Sequence, residues 1–173
     1  MAVNRVYTRR IDIGYEGQIS RVYNVCVVPE KLAANTRYGL ALELDTATGN
    51  VKPLTAVANM YGFLARPFVT VSYYNDDVTQ DFSLAPAWRA CDVMKYGYMT
   101  VTLQGTVACV KGNPVFVRIS GGTATDMVGS IHASATDAGV VELPNCYFRG
   151  NVDAGGVTEI EYGITMRSAA LGG

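Results

Sequence analysis

Charge is what this sequence has least of. Only 17% of its 173 residues are charged, 14 Lys+Arg against 15 Asp+Glu, for a net charge of −1; an average soluble domain carries about 25%. The longest basic run is Arg9–Arg10. Proteins that grip phosphates need a basic patch, because released counterions supply most of the affinity, so nucleic acid is not an expected partner. No stretch approaches the roughly 18 uncharged apolar residues of a membrane helix. The opening segment MAVNRVYTRRIDIG has no apolar core of signal-peptide length, so the expectation is synthesis and folding in a cytoplasm. Cys26, Cys91, Cys109 and Cys146 form no CxxC couplet, which excludes the usual zinc spacing. Cys26 and Cys109 sit in the apolar runs VCVV and VACV, where reduced thiols act as small buried hydrophobes.

Catalytic fingerprints are also missing. There is no GxSxG elbow, no GxGxxG and no GxxxxGK[ST]. The only histidine is His132, with Ser130, Ser134, Asp126 and Asp137 close by in a stretch of small residues. A small hydrolase would have to use it, but a catalytic triad usually gathers residues from distant segments. The expectation is an exposed loop histidine and no enzymatic activity. Asp76, Asp77 and Asp81 lack the alternating oxygens and central Gly of a calcium loop. Tyr73 and Tyr74 read as framework rather than a sugar platform. No cofactor or metal site follows from the sequence.

What is abundant is strand chemistry. Val, Thr, Tyr and Ile fill short runs separated by clusters of Gly, Asn and Asp. Residues 38–44 and Val51 flank Asp45-Thr46-Ala47-Thr48-Gly49-Asn50, a strand–turn–strand pattern in which Asp bonds its own backbone and Gly takes the left-handed position. Pro67 breaks the run 62–72 and marks an edge or bulge. The longest candidate runs from Tyr98 to Val110, with Gly105 bending its middle. Residues 115–120, 142–149 and 157–166 complete the set. Between Asp81 and Met94, Pro86 leaves room for no more than a short turn of helix, and residues 124–138 read as a long loop. The pattern predicts an all-β protein, a compact β-barrel or sandwich with little helix. At this length a single domain can bury a core without disulfides or metals.

Residues 1–18 differ from the rest. Val3, Val6, Tyr7, Ile11 and Ile13 are interspersed with Arg5, Arg9 and Arg10, and Gly14 and Gly17 break any regular element. This predicts an extended N-terminal arm ahead of a single β-rich domain at 19–173. Its partner-binding candidates are those eight residues together with Tyr15 and Gln18. A surface so poor in charge suits a subunit of an assembly better than a free monomer.

Several segments resemble the structural cement, or decoration, proteins of tailed-bacteriophage capsids. They are Asp92-Val93-Met94 leading into Gly97-Tyr98-Met99-Thr100-Val101, then Gly112-Asn113-Pro114-Val115-Phe116-Val117-Arg118, Tyr147-Phe148-Arg149-Gly150 and Ala154-Gly155-Gly156-Val157-Thr158-Glu159-Ile160. Gly14-Tyr15-Glu16-Gly17-Gln18-Ile19 resembles the arm with which such chains begin. The resemblance implies a non-enzymatic virion protein on the exterior of an icosahedral head. It implies a homo-oligomer, commonly a trimer, clamping neighbouring subunits of the major capsid protein. The rivals are a tail, fibre or receptor-binding subunit, a cellular β-barrel adaptor, and the His132 hydrolase.

Overall fold

A computed structural model describes residues 14–67 and 84–164. Eleven strands are present among them: β1 (Cys26–Lys31), β2 (Thr36–Arg37), β3 (Ala41–Leu44), β4 (Val51–Pro53), β5 (Met60–Ala65), β6 (Leu84–Ala85), β7 (Ala90–Gln104), β8 (Pro114–Arg118), β9 (Ile131–His132), β10 (Val140–Phe148) and β11 (Val157–Tyr162). One 3₁₀ turn, Val57–Asn59, is the only helical element among the described residues. The all-β expectation holds.

The 15-residue β7 organises the molecule. Its C-terminal half pairs with β11 on one edge and, in parallel, with the short β9 on the other. Through β10 and β8 the order β7-β11-β10-β8-β9 returns to β7 and closes a five-stranded barrel. Its N-terminal half leaves the barrel and pairs with β1 on one side and β5 on the other, and β3 and β4 extend the sheet from β5. A two-stranded ribbon of β2 and β6 lies apart. The halves of β7 meet at Gly97, whose φ of 140° is open to glycine, and Val25 packs so closely there that an added Cβ would sit 2.8 Å from its Cγ2.

Side chains alternate across a strand, and both faces of the extended sheet are covered. Ala41, Phe63 and Met94 point into the barrel core with Met99, Val101, Leu103, Val117, Ile131, Phe148 and Ile160. Their neighbours Leu42, Leu64 and Val93 form a second core with Leu32, Val51 and Ala85. Fully burying one such side chain stabilises the fold by about 1.5–3 kcal/mol.

The expected hairpin at Asp45–Asn50 is present. Asp45 Oδ1 accepts from the Ala47 N–H at 3.1 Å, Oδ2 accepts from Thr48 Oγ1 at 2.9 Å, and Gly49 has φ 69°. Four expectations need correction. Strand β7 starts at Ala90, eight residues before Tyr98, because Val93 and Met94 are buried on opposite faces and leave no alternation to read. Gly105 (φ 81°) ends β7 instead of bending it, with Cys109 joined to Val152 by a separate bridge. Cys26 is only half-buried because β1 is an edge strand; Cys109 and Cys146 are buried, and all four thiols are free. His132 is not an exposed loop residue. It lies on β9 and is 3% exposed.

Candidate functional site

Two regions carry the polar and exposed chemistry. The first is built on β8, β9 and the loops around them. Arg118, the last residue of β8, puts its Nη2 2.7 Å from Asp126 Oδ2 and 3.3 Å from Asp137 Oδ2. His132 Nε2 lies 3.0 Å from Asp126 Oδ1, and Ser130 Oγ donates to that same oxygen at 2.5 Å. Burial alone would raise the Asp126 carboxyl, but bonds from Ser130, Arg118 and His132 outweigh it and hold it below the ordinary carboxylate range. Of the hydrolase candidates, the fold gathers Ser130, His132, Asp126 and Asp137; Ser134 instead meets Thr136 at 3.1 Å.

The gathered residues are not arranged as a nucleophile and base. Ser130 and Asp126 address the same imidazole nitrogen, and the serine proton is directed to the carboxylate. A working triad bonds serine and carboxylate to opposite ring nitrogens, whereas the carboxylate on the far side here, Asp137 Oδ2, stands 3.9 Å from Nδ1, beyond hydrogen-bond reach. Ser130 itself is 2% exposed. Asp126, His132 and Asp137 also bring three potential metal ligands within 4.8 Å of one another. Arg118 sets one positive charge between the two carboxylates and bonds to both. The cluster therefore pins the 121–139 loop to the barrel, and its ligands were legible in sequence while its burial was not. The neighbouring cleft, lined by Glu16, Arg37, Tyr38, Thr102, Gln104 and Ser130, encloses about 20 Å³, room for little more than one water.

The second region is the root of the N-terminal segment. Of the ten arm candidates, Tyr15 and Gln18 are among the described residues. Val3, Arg5, Val6, Tyr7, Arg9, Arg10, Ile11 and Ile13 lie outside them, as do Tyr73, Tyr74, Asp76, Asp77 and Asp81. Gly17 N–H donates to Thr100 O at 2.7 Å and Thr100 N–H donates to Gln18 O at 2.9 Å. Thr100 thus turns both backbone groups toward the root, which lies on the edge of β7 opposite β11. Ser20 N–H to Tyr98 O (3.1 Å) and Arg66 N–H to Gly17 O (2.7 Å) extend the ladder. Side chains reinforce it. Thr100 Oγ1 donates to Tyr15 O, Thr102 Oγ1 to Glu16 Oε2 at 2.9 Å, and the Arg66 guanidinium lies 5.8 Å from the Tyr15 ring. Gln18 Oε1 accepts from the Tyr15 N–H at 3.2 Å. At Gly17 (φ 76°) a Cβ would meet Tyr38 Cβ at 2.6 Å, so only glycine lets the chain lie this close.

Beyond the root, residues 21–25 form an exposed knuckle. Arg21 grips Glu159 with two bonds of 3.0 and 2.6 Å and lies 4.1 Å over the Tyr98 ring. Glu159 is pushed upward by burial and pulled down further by Arg21 and Ser20, and so stays below its ordinary range. With its flanks fixed, the knuckle presents Val22, 89% exposed, and Tyr23, 62% exposed. Tyr96 on β7 is exposed as well. Sequence reasoning missed these residues; the available signal was an apolar pair in a loop between Arg21 and Asn24.

A family model described as "Structural cement protein (E217 gp24/Pam3 gp6)" matches residues 3–165. The chain belongs to the phage structural cement protein family. Among solved structures, the chain is similar to one from "The capsid of Myoviridae Phage XM1", at TM-score 0.68 and 19% identity over 93% of this chain and 97% of that one. At that identity the likeness shows a shared fold. Comparison with curated proteins gives no match. Membership of the cement family assigns a structural role in a phage capsid. It accords with a polar cluster whose side chains bond to one another.

Proposed function

We propose that this cement-family chain binds the outer surface of a bacteriophage head and clamps neighbouring subunits of the major capsid protein, acting as a homo-oligomer with a trimer as the leading state. It is synthesised in the bacterial host cytoplasm and resides on the exterior of the virion. A closed cyclic trimer matches the three-fold and quasi-three-fold junctions of an icosahedral shell with equivalent contacts.

The observation that carries this reading is the root ladder. Gly17, Gln18 and Ser20 are bonded to β7, the strand shared by barrel and sheet, so tension on the residues before them passes into the most connected element of the fold. Val3, Val6, Tyr7, Ile11 and Ile13 supply apolar contact, and Arg5, Arg9 and Arg10 supply charge-assisted bonds to capsid carboxylates. An extended segment also pairs its backbone with an exposed strand edge. Ordering it costs about 1–2 kcal/mol per residue in backbone entropy, so many contacts must form together, and several symmetric arms bound at once slow dissociation.

The test is deletion of residues 2–13, which spares every bond of the root. The truncated protein is expected to keep the wild-type circular dichroism spectrum and thermal midpoint while no longer co-sedimenting with heads at physiological salt. Wild-type occupancy by the truncated protein would overturn the role given to the arm.

A further inference from the structure

The only tryptophan of the chain stands where tryptophan is least comfortable. Trp88 lies in the turn between β6 and β7 with φ 63°, a left-handed conformation that bulky residues rarely adopt, and it is 64% exposed. The conformation is enforced from below. Trp88 N–H donates to Leu32 O at 2.9 Å, Leu32 N–H donates to Arg89 O at 3.3 Å, and Ala87 N–H donates to Asn35 Oδ1 at 2.7 Å. Leu32 itself is fully buried, so the turn is tied to the second core. Strain of this kind persists only where its surroundings over-determine it, and such residues cluster at functional positions.

The surroundings of the ring are cationic. Lys31 Nζ lies 5.3 Å over it, and Arg89 follows it in sequence, exposed like Lys31. Among the described residues neither Lys31 nor Arg89 has an ion-pair partner. The nearest carboxylates in register are Glu30 and Asp92; Glu30 is engaged with the Tyr61 hydroxyl, and Asp92 sits two residues further along β7. Among the described residues, the exposed indole therefore carries Lys31 over its face and Arg89 next to it in the chain, and neither cation is held in an ion pair.

We infer that Trp88, with Lys31 and Arg89, is a docking anchor for a protein surface that offers an apolar pocket rimmed by Asp and Glu carboxylates. The indole fills the pocket and the two cations meet its acidic rim. Tryptophan and arginine are enriched in such anchors: the indole desolvates a large area while ordering only two side-chain torsions, and the guanidinium offers a planar fork to carboxylates. The inference rests on the capsid-binding reading and adds a second contact, remote in sequence from the arm.

Trp88→Gly and the double variant Lys31→Glu/Arg89→Glu test it against purified heads lacking this protein. Glycine accepts φ 63° without strain, so W88G is expected to hold or raise the thermal midpoint while binding heads about thirty-fold more weakly. The charge-reversed variant is expected to bind weakly at low salt, with its deficit shrinking as salt screens the rim. Wild-type affinity in W88G would overturn the anchor. Loss in W88G with no loss in the charge-reversed variant would point to a stacked neutral ligand such as a sugar and overturn the acidic partner. Failure of the wild-type protein itself to bind heads would instead refute the capsid-binding reading on which the anchor depends.

Discussion

At the scale of single residues, the molecule spends its scarce charges in pairs. Arg118 bridges Asp126 and Asp137, Arg21 grips Glu159, and Arg149 bonds the buried Glu161. Thiols are kept inert by the same interior: burial, reinforced by Asp92 and Glu30, pushes Cys91 up to about 11, and burial raises Cys146 as well. The Asp126 cluster gives a pH prediction. Its folded carboxyl titrates below the ordinary value, so its stabilising contribution is present above about pH 4 and is lost as pH falls through the folded value. Asp126→Asn, which keeps size and one acceptor, is expected to lower unfolding free energy by about 1–3 kcal/mol at pH 7. The gap to wild type should narrow at pH 3 in urea titrations. A gap independent of pH would mean that the carboxylate charge contributes nothing there. Asp126, Ser130, His132 and Asp137 were legible in the sequence because they stand close together in it; Arg118, which comes from β8, was not. The burial of the cluster was not either, because nothing in a run of small residues announces that Ile131 and His132 join a barrel edge.

At the scale of elements, β7 shows where sequence patterns inform and where they fail. The Asp45–Asn50 hairpin was readable because Asx and glycine chemistry is local. The first half of β7 was not, since a strand covered on both faces has no polar side to alternate with. The closeness of its neighbours explains Gly62 on β5. A Cβ there would approach Met94 O at 2.5 Å and Val93 Cγ1 at 2.6 Å, against the backbone of β7 itself. Gly62→Ala is therefore expected to cost about 1–3 kcal/mol by overpacking. Gly155 faces open space, so the cost of Gly155→Ala is confined to a left-handed φ of 81°, about 1–2 kcal/mol. Denaturant midpoints measured alongside Gly62→Val check the assignment: the valine variant must be worse than the alanine variant, and equal midpoints for all three glycine variants would contradict the close approach of β5 to β7.

At the scale of the whole molecule, a barrel and a sheet share one strand, the root of the N-terminal segment is sewn to that strand, and Tyr23, Val22, Tyr96 and Trp88 stand exposed around it. A surface with so little charge and several large exposed apolar side chains is stable in an assembly and prone to association outside one. The fold class was legible because strand chemistry and glycine turns persist along the chain, and the capsid role only through the segments that resemble the cement family; the knuckle and the Trp88 anchor were not, because exposure is decided by packing between distant segments. The proposed role places this protein on the outside of the head, bridging its capsomers. Electron cryo-microscopy of the intact virion tests that most directly. Density for this barrel is expected on the outer shell at junctions between capsomers, arranged about three-fold axes, with residues 3–13 continuing onto a neighbouring capsid subunit. Density for the chain confined to the tail or the inner surface, or isolated monomers touching a single capsid subunit, would contradict it.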